Sequence, residues 1–118
     1  MIELSVRVMR VLLAGATGYI GQAVLQQLIA EGHDIVALVR PGRRLSLDSA
    51  EAVTVVEAAI TADPHWDQSV PTVDAVISCL ASRSGAPIDA REVEYEANQK
   101  LLEYAERIAA QHFVLLSA

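Results

Sequence analysis

The stretch from Val11 to Gly21 constrains the fold of this chain more than any other part of the sequence. It begins as an apolar run, Val-Leu-Leu-Ala, of the kind that forms a buried strand. The run ends in three glycines spaced three residues apart, Gly15, Gly18 and Gly21, and a helical pattern follows at once. A strand, a glycine-rich turn and a helix in this order are typical of a loop that holds the diphosphate of a dinucleotide.

Each glycine has its own physical reason to be there. Gly15 allows a tight turn that a side chain would obstruct. Gly18 lets the backbone approach the phosphates, and Gly21 lets the first helical turn lie close to the strand. The free N–H groups at the helix start and the positive end of the helix dipole would face the anion. The alternative is a glycine-rich turn without a ligand. The loop predicted to bind the cofactor comprises Gly15, Ala16, Thr17, Gly18, Tyr19, Ile20 and Gly21.

Length and composition narrow the class of protein. With 118 residues, 53% of them hydrophobic and 20% charged, the sequence predicts one α/β domain over residues 1–118, with 1–8 as a possible extension before Met9. The net charge of −6 argues against a nucleic-acid partner, because phosphate binding needs a basic face. The single cysteine, Cys79, excludes an internal disulfide. No run is long enough to span a membrane, and the N-terminus does not resemble a transit peptide, so we expect a bacterial, cytoplasmic protein.

The remaining pattern predicts a Rossmann-like doubly wound parallel sheet. Further strands are expected at residues 34–39, 53–57, 74–80 and 112–118. We expect the first helix to bury Val24, Leu25, Leu28 and Ile29 and to end at Gly32. Asp63 and Pro64 indicate a short helix, in which Trp66 serves packing. A capping box at Asp89–Glu92 indicates a long helix with a buried stripe of Val93, Ala97, Leu101, Ala105 and Ile108. Right-handed crossovers then give the strand order 3-2-1-4-5.

The end of the second strand indicates which cofactor is bound. NAD-preferring proteins of this kind carry an Asp or Glu about twenty residues past the glycines, on the ribose hydroxyls. Here that position holds Arg40, followed by Arg43 and Arg44, while Asp34 lies at the opposite end of the strand. Guanidinium groups suit the additional 2′-phosphate of NADPH, so we predict NADPH as the cofactor with Arg40 and Arg43 in its site. For Arg43 and Arg44, a solvated basic loop stays an open alternative.

The Gly-x-x-Gly-x-x-Gly spacing, filled as Gly-Ala-Thr-Gly-Tyr-Ile-Gly, resembles the extended and atypical short-chain dehydrogenase/reductase superfamily. The carboxyl end of the fourth strand is then expected to approach the nicotinamide ribose through Cys79, Leu80, Ala81 and Ser82, with Cys79 itself a packing residue. The resemblance implies a catalytic serine near the end of the fifth strand, which makes Ser117 the candidate. No Tyr-x-x-x-Lys motif occurs, and His112 is expected to be structural.

A closer resemblance lies in Val-Ile-Ser-Cys-Leu-Ala-Ser-Arg-Ser-Gly-Ala-Pro-Ile-Asp, in Glu94-Tyr95 and in the final His-Phe-Val-Leu-Leu-Ser-Ala. These stretches resemble the family of divinyl chlorophyllide 8-vinyl reductases. The resemblance implies NADPH-dependent reduction of the 8-vinyl group of a divinyl tetrapyrrole to ethyl, with this chain as the cofactor-binding portion. Ala59 and Glu94 depart from the family pattern, which tends to have Asp at both positions.

Two other functions stay open at this point. One is a non-catalytic NADP-sensing regulator of the same superfamily, and the other is a structural or assembly subunit stabilised by a nucleotide. We also expect the chain to be truncated before the catalytic segment and therefore to be inactive by itself, with the fifth strand at an open edge of the sheet.

Overall fold

The computed structural model describes residues 8–45, 52–80 and 88–116. The strands are β1 (Arg10–Ala14), β2 (Asp34–Val39), β3 (Val53–Glu57), β4 (Ala75–Ser78) and β5 (His112–Leu115). They form one parallel sheet in the order β3-β2-β1-β4-β5, so the predicted doubly wound sheet is confirmed. The connections include two α-helices, α1 (Tyr19–Ala30) and α2 (Ile88–Arg107), and a short 3₁₀ helix, Trp66–Ser69.

Apart from Arg10, Asp34 and Ser78, the central strands β1, β2 and β4 are apolar, because both faces of the sheet are covered. On one face, Leu12 and Val36 pack in a core that includes Leu101 of α2. On the other face, Leu13 packs in a core that includes Leu25 of α1. Successive residues of β1 therefore enter different cores, as the two-residue period of a strand requires.

The two α-helices face the sheet with the apolar stripes that their spacing predicts. Leu25 and Leu28 are buried in α1, and the buried stripe of α2 includes Leu101 and Ala105. α1 begins at Tyr19, before the third glycine rather than after it, with Gly18 as its N-cap residue. The predicted capping box and Val93 lie in the first turns of α2, whose side chains are outside the described part of the structure. No helix in the described ranges has the length and apolar composition needed to cross a membrane.

The short helix indicated by Asp63 and Pro64 is present, but its predicted starting point is wrong. The Asp63 carboxylate accepts the His65 N–H (2.9 Å), and the Trp66 N–H donates to the Asp63 carbonyl (3.2 Å), so Asp63 forms a turn. The helix that follows is 3₁₀ and begins at Trp66. Trp66 is a buried packing residue, as predicted, with its ring 5.2 Å from that of Tyr104. This packing anchors the short helix beneath the C-terminal part of α2.

Two strands are shorter than predicted. β4 ends at Ser78 instead of continuing to Leu80, because the Leu80 N–H leaves the sheet and donates to the Ser78 hydroxyl oxygen (3.3 Å). β5 ends at Leu115, although the Leu116 N–H still donates to the Ser78 carbonyl (2.9 Å). β5 is an edge strand among the described residues, and Val114 and Leu115 are exposed there.

Both α-helices end in the same backbone arrangement. The residue after each helix cap has a positive φ, +82° at Gly32 after α1 and +54° at Ala109 after α2. The Gly32 N–H donates to the Ile29 carbonyl (3.0 Å) and the Ala109 N–H to the Glu106 carbonyl (3.2 Å). Gly32 confirms the predicted left-handed helix end. Ala109 adopts the same conformation with a side chain that disfavours it.

Candidate functional site

A cleft of about 470 Å³ opens at the carboxyl edge of the sheet. Its walls come from the ends of β1, β2 and β4, from the segment after β3 and from one face of α2. β1 lies between β2 and β4, and the chain crosses to opposite faces of the sheet around it. This is the switch point at which doubly wound sheets bind their ligands.

The glycine loop forms the floor of this cleft. Gly15 has φ +80°, and the Gly18 N–H donates to its carbonyl (3.2 Å), which closes the tight turn after β1. The first intrahelical bond of α1 runs from the Gln22 N–H to the Gly18 carbonyl (2.9 Å). The N–H groups of the first helical turn have no intrahelical acceptor, and they carry the positive end of the helix dipole. Because Gly18 lines the cleft, this end of α1 is suited to an anion.

The three glycines face different surroundings. A Cβ atom on Gly15 would lie 2.8 Å from the Cys79 carbonyl group, so this glycine lets β1 and the end of β4 approach each other. A Cβ atom on Gly21 would lie 1.8 Å from the Gly15 carbonyl oxygen, so this glycine lets α1 rest on the loop. A Cβ atom on Gly18 would meet only the Gly15 oxygen, at an ordinary 3.5 Å. Gly18 is therefore the one of the three whose missing side chain leaves room on the cleft side.

The other predicted loop residues fall into three groups. Thr17 lines the cleft, and its carbonyl accepts a hydrogen bond from the Gln22 side chain (3.2 Å). Ala16 is fully buried in the core that includes Leu25, so it supports the loop from below. The Tyr19 side chain is 91% exposed, and neither Tyr19 nor the half-buried Ile20 lines the cleft.

The arginines after β2 differ in their position relative to the cleft. Arg40 follows β2 directly, lines the cleft and is exposed. No carboxylate in the described ranges lies within ion-pair distance of it. Arg43 is exposed but does not line the cleft, and its N–H closes a turn onto the Arg40 carbonyl (3.0 Å). The structure thus brings Arg40, and not Arg43, to the glycine loop.

The segment after β3 supplies a wall that the sequence analysis did not assign. Ala58, Ala59, Ile60 and Thr61 line the cleft there. Ala59 stands where the resemblance leads us to expect an Asp in relatives, and its carbonyl accepts the N–H groups of Ala62 (3.2 Å) and Asp63 (2.8 Å). These four residues could have been predicted to line the cleft because they follow a parallel strand. The carboxyl ends of all parallel strands meet at one edge of the sheet.

The end of β4 forms the opposite wall. Cys79 and Leu80 line the cleft, and the Cys79 N–H continues the sheet by donating to the Ala14 carbonyl (2.9 Å). Burial raises the pKa of the Cys79 thiol, which keeps it protonated at neutral pH and a poor nucleophile. From α2, Glu94 and Ala97 complete the wall. Three predicted site residues lie outside the described part of the chain: Ala81, Ser82 and Ser117.

A polar network joins this wall to α2. The buried Ser78 hydroxyl donates to the Asn98 side-chain oxygen. The Asn98 amide nitrogen donates to the Leu80 carbonyl (3.1 Å), and the Leu80 N–H donates to the Ser78 hydroxyl oxygen (3.3 Å). Asn98 is not among the site residues predicted from the sequence. The signal that could have identified Asn98 is its place as a polar residue among the buried residues of an amphipathic helix.

Comparison with known proteins places this geometry in context. The model of the NAD(P)H-binding family matches residues 15–118. The divinyl chlorophyllide a 8-vinyl-reductase of Arabidopsis thaliana is 36% identical over 92% of this chain, which spans 29% of that protein. The photosystem II assembly factor Ycf39 of Synechocystis is 29% identical over 92% of the chain, which spans 33% of that protein. The Bordetella bronchiseptica enzyme WbmH, solved in complex with NAD⁺, shares the fold with a TM-score of 0.74 at 23% identity, over 91% of this chain and 38% of its own.

Proposed function

The chain belongs to the NAD(P)H-binding family, and from that premise we propose that it is the NADPH-binding portion of a divinyl tetrapyrrole reductase. The family membership and the fold support a nicotinamide cofactor and oxidoreductase chemistry. The proposed reaction is the reduction of the 8-vinyl group of a divinyl chlorophyllide-type substrate to an ethyl group. The similarity to the Arabidopsis reductase supports this choice of substrate.

The observation that carries the proposal is the cleft in which the glycine loop, Arg40 and the end of β4 meet. A diphosphate would lie against Gly18, where the missing Cβ leaves room and the first N–H groups of α1 are available. A 2′-phosphate would pair with Arg40, which has no carboxylate partner within the described ranges. The nicotinamide ribose would lie toward Cys79 and Leu80 on the other side of β1.

In this arrangement the protein positions the cofactor rather than performing the chemistry. NADPH held in this cleft would supply the hydride for the vinyl group, and one proton would balance its reduction to an ethyl group. The glycine loop would hold the diphosphate bridge and Arg40 the 2′-phosphate, and the Cys79–Leu80 wall would limit how far the nicotinamide end can move. The protonated Cys79 thiol makes no covalent step here. Ser117 stays the candidate for a catalytic side chain.

Cofactor preference tests the proposal directly. We expect the purified chain to bind NADPH more tightly than NADH in a fluorescence titration. Arg40→Asp should weaken NADPH binding by about 1–3 kcal/mol, since a charge-assisted bond to the 2′-phosphate is lost, and should leave NADH binding nearly unchanged. Arg44→Asp is the matched control, because it makes the same charge change at an exposed position outside the cleft. Equal binding of both cofactors by the unaltered chain would contradict the role proposed for Arg40.

The reaction itself is tested with divinyl chlorophyllide, NADPH and analysis of the monovinyl product. We expect no product from the 118-residue chain alone, because it spans only 29% of the Arabidopsis reductase. A chimera that continues after Ala118 with the remaining part of that reductase should recover the product. Turnover by the 118-residue chain would show that the active site needs none of the added sequence.

A second candidate function is an assembly factor that binds the nucleotide without turning it over. The similarity to the Synechocystis assembly factor Ycf39 favours it. The same chimera distinguishes the two functions. NADPH binding without monovinyl product would favour the assembly factor, and product formation would exclude a purely structural role.

A further inference from the structure

The hydrogen bonds of Ser78, Leu80 and Asn98 form a closed ring between β4 and α2. The Ser78 hydroxyl donates to Asn98 and accepts from Leu80, and Asn98 returns a hydrogen bond to the Leu80 carbonyl (3.1 Å). The orientation of the Asn98 amide follows from this ring. Leu80 presents a carbonyl that only accepts, so the Asn98 nitrogen must face it and the Asn98 oxygen must face Ser78.

The hydrogen-bond ring, rather than the sheet, holds the backbone of Leu80 in the cleft wall. Beyond Ser78 the sheet keeps the Cys79 N–H, which donates to the Ala14 carbonyl (2.9 Å). Both backbone polar groups of Leu80 are taken by side chains instead, one from β4 and one from α2. The position of Leu80 in the cleft therefore depends on Asn98.

The same wall lies against the glycine loop. A Cβ on Gly15 would come within 2.8 Å of the Cys79 carbonyl carbon and oxygen, so the two segments are already in close contact. A displacement of Leu80 would shift Cys79, its neighbour in the chain, and with it the gap between the glycine loop and β4. Arg40 lies on the other side of β1, at the end of β2, and does not share this wall.

We propose that Asn98 is a positioning residue for the nicotinamide half of the cofactor, acting through Ser78 and Leu80. This inference rests on the proposed function, because it assumes that the cleft binds NADPH with its adenosine half toward Arg40. It predicts that loss of the ring weakens contacts at the nicotinamide end and leaves those at the adenosine end intact.

Asn98→Asp tests the inference with little change in shape, because it keeps the acceptor for Ser78 and removes the donor to Leu80. We expect it to weaken NADPH binding about tenfold, the loss that corresponds to one partly buried hydrogen bond, and to change the emission of the bound nicotinamide. Binding of adenosine 2′,5′-bisphosphate, which lacks the nicotinamide half, should change by less than about twofold, since that end of the cleft is untouched. Gln99→Glu is the matched control, because it makes the same amide-to-carboxylate change on an exposed position of α2.

Ser78→Ala provides a second, uncharged break of the ring, and it serves as the test if Asn98→Asp does not fold. A selective loss of NADPH binding in either variant supports the inference. Equal weakening of both ligands, or no weakening of either, overturns it and leaves the proposed function intact. If the unaltered chain binds neither NADPH nor adenosine 2′,5′-bisphosphate, the proposed function is overturned, and this inference with it.

Discussion

Single-methyl substitutions at Gly18 and Gly21 separate the folding role of the glycine loop from its proposed binding role. Both glycines lie at the start of α1, three residues apart, and both gain one Cβ atom on replacement by alanine. The surroundings of that atom differ sharply between the two positions. We therefore expect Gly21→Ala to damage the fold and substitutions at Gly18 to damage binding.

The magnitude for Gly21→Ala follows from its distance to the loop backbone. The new Cβ would lie 1.8 Å from the Gly15 carbonyl oxygen, which is 1.2 Å short of the 3.0 Å below which such contacts are essentially never found. The obstacle is backbone, so α1 must move away from β1 and open the core around Leu25. Such overpacking costs typically about 1–3 kcal/mol and occasionally more, and we place this case at about 3 kcal/mol or above. In a domain of this size that lowers the Tm by roughly 12 °C or more.

Gly18→Ala should be tolerated by the fold. Gly18 has φ −76° and ψ 171°, an extended conformation open to any residue, and its Cβ would meet only an ordinary contact at 3.5 Å. Alanine is a poorer N-cap residue than glycine, which costs about 1 kcal/mol or less. The new atom instead occupies the space in which we propose that the diphosphate lies. Gly18→Val adds two further carbon atoms there, so it should abolish NADPH binding while the sheet stays formed.

Circular dichroism melting curves of the three variants test the folding role of Gly21, and NADPH titrations test the binding role proposed for Gly18. The expected pattern is a large loss of Tm in Gly21→Ala, and a small loss of Tm with lost NADPH binding in Gly18→Val. A folded Gly18→Val chain that binds NADPH as well as the unaltered chain would refute the phosphate site. A Gly21→Ala chain with an unchanged Tm would refute the close packing of α1 on the loop.

Two further predictions concern stability and reactivity. Ala109→Gly should raise the stability by about 0.5–1 kcal/mol in thermal unfolding, because glycine relieves the positive φ at the end of α2, whereas Gly32→Ala should lower it by about 1 kcal/mol at the equivalent position of α1. A lower stability of Ala109→Gly together with a higher stability of Gly32→Ala would show that the positive φ strains the backbone at neither position. Alkylation of Cys79 by iodoacetamide, followed by mass spectrometry, should be slow at neutral pH and still rise above pH 9.0, because burial raises the thiol pKa above that ordinary value. The raised pKa also means that this thiol stabilises the fold below pH 9.0 and that its contribution is lost as the pH rises further. A reaction that levels off at or below pH 9.0 would contradict the raised pKa.

The features that follow from local pattern and chain direction could be predicted from the sequence. β2 and β3 have the predicted bounds, because each is a short, mainly apolar run rich in the β-branched residues that strands favour. In a parallel sheet every strand delivers its next residues to the same edge, which is why the position of Arg40 in the cleft could be predicted from its place after β2. Cofactor contacts of the predicted loop residues and of Arg43 stay predictions.

The features that depend on contacts between distant segments could not be predicted in the same way. The Asp63-Pro64 pair carries the local signal of a helix start, but the burial of Trp66 against Tyr104 belongs to another part of the chain, and the helix begins at Trp66. The apolar run of β4 continues past Ser78, yet the strand does not reach Leu80, because the Ser78 hydroxyl oxygen accepts the Leu80 N–H.

Asn98 shows why such features matter for the site. An asparagine within a helix has no local reason to be favoured, since its side chain competes with backbone hydrogen bonds. Among the buried residues of α2 it must therefore have partners elsewhere, and these are Ser78 and Leu80, twenty and eighteen positions earlier in the chain. We propose that the glycine loop holds a phosphate, and that the width of the cleft beside it depends on the bond between Asn98 and Leu80. Position along a strand is thus sufficient to find the cleft, whereas its shape depends on pairs of residues that only the folded chain brings together.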